Sequence, residues 1–301
     1  MDGVLLLNKP SGITSHAAVN IARRAYQTRK VGHCGTLDPL AEGILPLMIG
    51  SATHACSLLT DHDKTYLASF LPGVETDTED VTGAVLSKYE GPLPSFDDFR
   101  SAAHSFQGEI LQTPPMYSAL KKDGKKLVDL ARKGVTVERE PRPVTLYAVE
   151  PFLEEDTGRW LLRVHCSRGT YIRTLCADIG KKLGCGGCMG SLKRLSVGPF
   201  RLEDAVSPDA LETMTEEEKQ KLLLPLNDVF SAVPEIFLPP FFAHLYAHGQ
   251  KISVRKLSFL PSARPGDRFR VKFTEENETV RSLAEIRDTE TGPVLVPLFR
   301  L

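Results

Sequence analysis

The residues best suited to chemistry stand in one short segment, His33-Cys34-Gly35-Thr36-Leu37-Asp38-Pro39-Leu40-Ala41-Glu42-Gly43. It packs a histidine, a carboxylate, a proline and two glycines between the basic pair Arg29-Lys30 and the apolar run Ile44–Ile49. Loops carried by a rigid scaffold are where catalytic groups collect. Asp38 precedes a proline, so its backbone is kept out of the helical region and its carboxylate direction is partly fixed. A carboxylate held this way can add to an electrophilic carbon, or take and return a proton. The same residues also suit a turn in which aspartate and glycine serve only local geometry, and their spacing alone does not choose.

Two further patterns invite chemistry and are read as structural. Cys185-Gly186-Gly187-Cys188 has C-x-x-C spacing, but no second such pair or histidine pair completes a tetrahedral zinc site. The acidic run Glu75–Asp80 lacks the glycine and the distant glutamate of an EF-hand loop, and is read as a solvated turn between strands. No metal is expected.

The elements that must position Asp38 can be read from period and punctuation. Gly3–Leu7 reads as a buried strand closed by Lys9-Pro10-Ser11-Gly12, and Thr14 or Ser15 can cap a helix through about Tyr26. A strand over 43–49, a short helix over 51–60 and a strand pair, 64–72 with 82–88, follow. Ser95 with Asp98 resembles a capping box opening a helix to about Phe106. Strands are expected at 143–152, 160–167 and 193–200, and helices at 126–133, 171–183 and 208–224. Strand and helix mix without strict alternation, so the fold class is α+β with a mixed, largely antiparallel sheet. Proline-marked residues 225–240 suggest a boundary. Beyond it, Ile252–Val254, Arg268–Phe273 and Ser282–Arg287 read as strands of a small β-rich domain over 235–301.

Composition narrows the class. Of 301 residues, 42% are hydrophobic and 25% charged, which is ordinary for a globular chain. The longest apolar runs fall far short of the roughly 20 residues a membrane span requires. Six scattered cysteines form no disulfide framework, so reduced thiols in the cytoplasm are expected. The net charge of −1 gives no global sign of a nucleic-acid binder. Basic residues do gather locally, at Lys121–Lys126 and at Arg139 with Arg142.

Around Asp38, Gly35-Thr36-Leu37-Asp38-Pro39-Leu40 closely resembles the catalytic motif of the bacterial tRNA pseudouridine-55 synthase (TruB) family. Further blocks resemble that family in its order: Gly3–Gly12, Lys64-Thr65-Tyr66, Thr76-Asp77-Thr78, Pro115–Lys121 with Gly124–Leu127, Ser167–Thr174 and Leu192–Leu195. The likeness covers about residues 1–200. Glu42 and Cys34 depart from residues common in the family, at positions its motif does not make catalytic.

The resemblance implies a pseudouridine synthase fold over 1–234 and a PUA-like RNA-binding module over 235–301. The implied reaction turns uridine 55 of the tRNA T-loop into pseudouridine with no cofactor. Asp38 is the indispensable carboxylate, and Arg173 the cation expected to hold its pKa down. Tyr66 would lie against the base and assist removal of the C5 proton. His33 would stack where the flipped base had been, while Tyr171 and Leu192 line the uridine pocket and Lys9 supports it or meets phosphate. Lys121, Lys125, Lys126 and Arg142 would touch the RNA backbone. The expected partner is tRNA, met by a monomer without protein partners or membrane. Two rivals remain: a related guide-dependent synthase acting on other RNA, and a non-catalytic RNA-binding or RNA-folding protein.

Overall fold

The computed structural model describes residues 2–260, 262–273 and 280–300. Strand β1 (Gly3–Lys9) leads into helix α1 (Ser15–Ala25), whose first turn is closed by the Thr14 hydroxyl accepting from the Ala17 N–H. Strands β2 (Val31–His33) and β3 (Glu42–Ile49) follow, with the Asp38 loop between them. A 3-10 turn and α2 (Cys56–Thr60) lead to β4 (Lys64–Pro72), the hairpin β5 (Val74–Thr76) and β6 (Val85–Lys88), then α3 (Phe96–His104). Next come β7 (Gly108–Gln112), the lysine hairpin β8 (Lys121–Lys122) and β9 (Lys125–Lys126), and α4 (Leu127–Ala131). Strands β10 (Arg142–Leu153) and β11 (Trp160–Cys166), helix α5 (Ile172–Leu183), and strands β12 (Gly187–Val197) and β13 (Phe200–Arg201) complete the first unit.

The main sheet runs β1-β3-β12-β4-β11-β10-β7, with β2 added to β3 and β13 to β12. Only β12 against β3 is parallel; every other pairing is antiparallel. One face packs on α1, α3 and α5 through Leu5, Leu7, Leu45, Leu47, Phe70, Phe99 and Ile179. The other face of β1 and β3 buries Val4, Leu6, Ile44 and Met48. Coverage on both faces explains why these two strands read as unbroken apolar runs. In β11 the outer face is open, and buried Leu162 and Val164 alternate with exposed Arg163 and His165.

A second sheet starts at Glu235. Strands β14 (Glu235–Leu238), β15 (Ile252–Ser253), β16 (Arg268–Phe273), β17 (Val280–Arg287) and β18 (Val294–Arg300) pair in the order β14-β16-β17-β18-β15. They enclose a separate core with Ile236, Leu238, Tyr246, Val271 and Leu295. Leu283 and Phe299 instead join the cluster under β1, where Phe299 meets Phe230 at a ring separation of 5.8 Å. The architecture is the α+β arrangement the sequence predicts, with a β-rich C-terminal unit.

Several local expectations differ. Residues 85–88 pair with 74–76, not with 64–72, because β4 is already flanked by β11 and β12. The acidic stretch before them is no solvated turn: Thr76 and Asp80 are buried and Asp80 bridges to Met189. The stretch 208–224 breaks at Met214 into two short helices, because Thr215 and Glu218 form a fresh capping box. Strand β12 begins at Gly187, six residues before the expected start, since Gly187 to Met189 pair with the end of β4.

Candidate active site

The Asp38 loop is held by the connection between β1 and α1. The Ser15 hydroxyl donates to the Leu37 carbonyl and accepts from the Leu37 N–H, both at 2.8 Å. The Gly12 N–H donates to Pro39 O, and the Ser11 hydroxyl to Leu40 O, each at 2.8 Å. Leu37 and Ala41 plug the core on either side of the aspartate. With its backbone bonded and its flanks anchored, the loop presents a carboxylate whose side chain is 39% exposed.

Arg173, at the start of α5, is 5% exposed and its Nη2 lies 3.0 Å from Asp38 Oδ2. Its remaining donors go inward, Nη1 to Thr78 O at 3.0 Å and Nη2 to Tyr117 O at 2.8 Å. Nη1 also lies 3.8 Å from Oδ2 of Asp80, a second, buried carboxylate. Asp80 is itself fixed by the hydroxyls of Thr78 and Thr82 and the Thr82 N–H. One guanidinium therefore joins the Asp38 loop, the turn before β6 and the segment before the lysine hairpin. Burial raises the Asp38 carboxyl above the ordinary aspartate range, Arg173 and Lys9 pull it down, and Asp80 raises it further. The sequence led us to expect a depressed value; burial outweighs the arginine.

Tyr66 on β4 and Leu192 on β12 are both buried on the same face, diagonal neighbours across the strand pair, since Leu192 pairs with Ala68, two residues along from Tyr66. Tyr171 immediately precedes α5, and its N–H and C=O are both taken by the Gln112 amide, at 2.7 and 3.0 Å. The charge of Asp38 reaches the phenols of both Tyr66 and Tyr171, which burial raises above the usual tyrosine range. Lys9 is fully buried, donates to Pro10 O and Ile13 O at 2.9 and 2.8 Å, and is lowered to about 8 by burial. It braces the loop and is no exposed phosphate contact. His33 ends β2, with Nδ1 buried and without an acceptor or donor partner, and its pKa is lowered first by burial and then by Arg194 and His16.

Asp38, Tyr66, Arg173, Tyr171 and Lys9 thus share one electrostatic neighbourhood. Lys121, Lys125 and Lys126 do not; they stand exposed on their hairpin. That hairpin hangs from the segment carrying Tyr117, since Leu127 N–H donates to Leu120 O and Val128 N–H to Ser118 O. Arg142 is exposed at the start of β10, where its charge reaches Tyr171.

Sequence reasoning missed Asp80, Gln112 and Arg194. Arg194 is fully buried, donating from Nε to Ile44 O at 2.8 Å and from Nη2 to Gly35 O at 3.2 Å. The available signal was alternation: counting by two from Leu192 puts Arg194 on the same inward face. Gly43 permits this approach. Its φ is +105°, and a Cβ there would stand 2.3 Å from the Arg194 carbonyl oxygen.

Residues 23–172 match the profile described as TruB family pseudouridylate synthase (N terminal domain), and residues 173–231 that of the tRNA pseudouridylate synthase B C-terminal domain. A tRNA pseudouridine synthase B of Aromatoleum aromaticum is 47% identical over 84% of this chain and 82% of its own length. That of Dechloromonas aromatica is 44% identical over 84% of each. Among solved structures, the chain resembles one in a Cbf5-Nop10-Gar1 complex, with a TM-score of 0.71 and 26% identity over 98% of this chain and 83% of that one. A second is in an archaeal box H/ACA sRNP Nop10-Cbf5 complex, with a TM-score of 0.68 at the same identity, over 98% of this chain and 84% of that one. With the family profiles, the relatives over four fifths of the chain and the shared fold in agreement, the chain belongs to the TruB family of pseudouridylate synthases.

Proposed function

We propose that this chain is a tRNA pseudouridine synthase that isomerises uridine 55 in the T-loop, with Asp38 as the indispensable carboxylate. The observation that carries the reading is the Asp38 carboxylate, open to solvent on one side and paired at 3.0 Å with the buried Arg173 on the other. Isomerisation breaks the N1–C1′ bond, turns the uracil and rejoins ribose through C5, and none of these steps calls for a redox group or metal. A carboxylate is the group that can attack or take a proton and then leave.

The base must first leave its stack, at a cost of a few kcal/mol. His33, with an unpartnered ring nitrogen, fills the vacated place. Tyr66 lies against the flipped base and assists loss of the C5 proton; Tyr171 and Leu192 form the walls. Lys9 braces the floor. The exposed Lys121, Lys125, Lys126 and Arg142 meet phosphates, which sets register and salt dependence without reading sequence. Residues 1–234 carry the chemistry and 235–301 add RNA contacts; the enzyme works as a cytoplasmic monomer.

A guide-dependent synthase is the rival suggested by the Cbf5 complexes, but the tRNA pseudouridine synthase B relatives are far closer in sequence, 47% against 26% identical. The test uses the lone protein on an unmodified tRNA transcript. Pseudouridine should form at position 55, and Asp38→Asn should abolish it while tRNA still binds. Modification that survives Asp38→Asn, or that requires an added guide, would overturn the reading; binding without modification by the unaltered protein would favour an RNA-folding role.

A further inference from the structure

Arg194 is the largest side chain buried without any exposure, and none of the ion pairs among the described residues includes it. An arginine remains charged in any fold, so a cation held away from carboxylates needs a reason. Two of its nitrogens are used: Nε fixes the carbonyl of Ile44 on β3 and Nη2 that of Gly35, three residues before Asp38. The third, Nη1, is buried and has no acceptor. It lies 3.6 Å from where a side chain on Gly35 would begin. On the strand beside it, Arg194 is the direct cross-strand partner of Tyr66, and both side chains face inward. Burial raises the Tyr66 phenol, and of the charged groups that act on it the Arg194 guanidinium pulls it down most.

Guanidinium can only donate. A phenol oxygen that meets it must act as acceptor; the other groups that act on that phenol are Cys166 and Asp38. We infer that Arg194 is a positioning residue for Tyr66: its Nη1 holds the Tyr66 oxygen at the place beside the uracil from which the phenol assists loss of the C5 proton. This rests on the pseudouridine synthase reading above, and Arg194 acts on the reaction only through Tyr66.

The experiment is a double-mutant cycle of Arg194→Met and Tyr66→Phe, with Arg194→Lys as the conservative variant, on unmodified tRNA under single-turnover and steady-state conditions. Unaltered protein forming pseudouridine secures the underlying reading independently. Arg194→Met should lower kcat by about 30-fold with KM within threefold, less than the roughly 100- to 1000-fold loss of a donor that touches the reacting group itself, because Arg194 acts through Tyr66. Arg194→Lys, which can still donate, should recover part of it. In the Tyr66→Phe background, Arg194→Met should cost less than threefold more, because its target is gone. The same fold loss in both backgrounds would overturn the inference, as would a loss confined to KM. If Arg194→Met does not fold, Arg194→Lys alone decides: equal sensitivity with and without the Tyr66 hydroxyl refutes the coupling.

Discussion

Arg173→Met is the most informative single change, because one guanidinium serves two carboxylates of different exposure. At an effective dielectric of about 20, unit charges at the observed 3.0 Å attract by about 5.5 kcal/mol. The Asp38 side chain is 39% exposed, so roughly half survives solvent screening, about 2–3 kcal/mol. Lost from the ionised enzyme, that is about a 30- to 150-fold fall in kcat at neutral pH. Burial already raises the Asp38 carboxyl and Arg173 is the largest influence opposing it. Its removal must therefore move the acid limb of the pH–rate profile to higher pH, with activity partly recovered in alkali. The same change leaves Asp80, 4% exposed, without its cation. A buried charge stripped of its partner costs about 3 kcal/mol, or roughly 6 °C in Tm. The double variant Arg173→Met with Asp80→Asn should regain the Tm and not the activity. The assay is single-turnover pseudouridine formation from pH 5.5 to 9, beside thermal melts. An unmoved acid limb with kcat within threefold of the unaltered enzyme would refute the pairing as the source of Asp38 reactivity.

Asp38→Asn should be inactive and melt no lower, about 1 °C higher at pH 7. The folded state holds the Asp38 proton more tightly than the unfolded chain does, so the ionised carboxylate opposes folding once pH exceeds its ordinary range, and that opposition disappears on acidification. His33 and His62 act with the opposite sign. Burial holds both below the ordinary histidine range, so the unfolded chain protonates first below about pH 6.5 and stability falls with acid. Replacing His62 by Gln should narrow the Tm gap between pH 7.5 and 5.5; an unchanged gap would exclude it as a contributor. Changing Lys121, Lys125 and Lys126 together to Ala should flatten the plot of log affinity against log salt by about 2 units, with single-turnover kcat at saturating protein unchanged. Truncation after residue 234 should lower Tm, because Leu283 and Phe299 cover the cluster under β1; a truncated chain melting with the full-length one would contradict that packing.

The sequence made legible what depends on local period and on the motif loop. The spans of β3, β4, β10, β11 and α5 follow from apolar runs and caps, and the fold class follows from their mixture. Asp38 stood out because proline and glycine flank it. What sequence could not reveal depends on partners remote in the chain. Asp80 looked like part of a solvated acidic turn because its cation lies 93 positions later, across a bridge to β12. Gln112 carries no local signal, as its amide matters only through the backbone of Tyr171. Arg194 is enclosed only when β3 and β4, remote in the chain, close on either side of it. The direction of the Asp38 shift was also misjudged, because a single expected cation is visible in a motif and the bulk of burying protein is not.

The cluster shared by Val4, Leu6, Leu283 and Phe299 bears on how the protein is made. During synthesis the first strand leaves the ribosome long before the residues that cover its outer face. The part of that cluster closed by Leu283 and Phe299, beside the 3-10 turn at Gly50–Ala55, must therefore wait, wet or in the keeping of a chaperone, until the strands that carry them have been translated. A nascent chain stalled before β18 would display a greasy seam on an otherwise formed first unit, a mark that quality-control proteases could read.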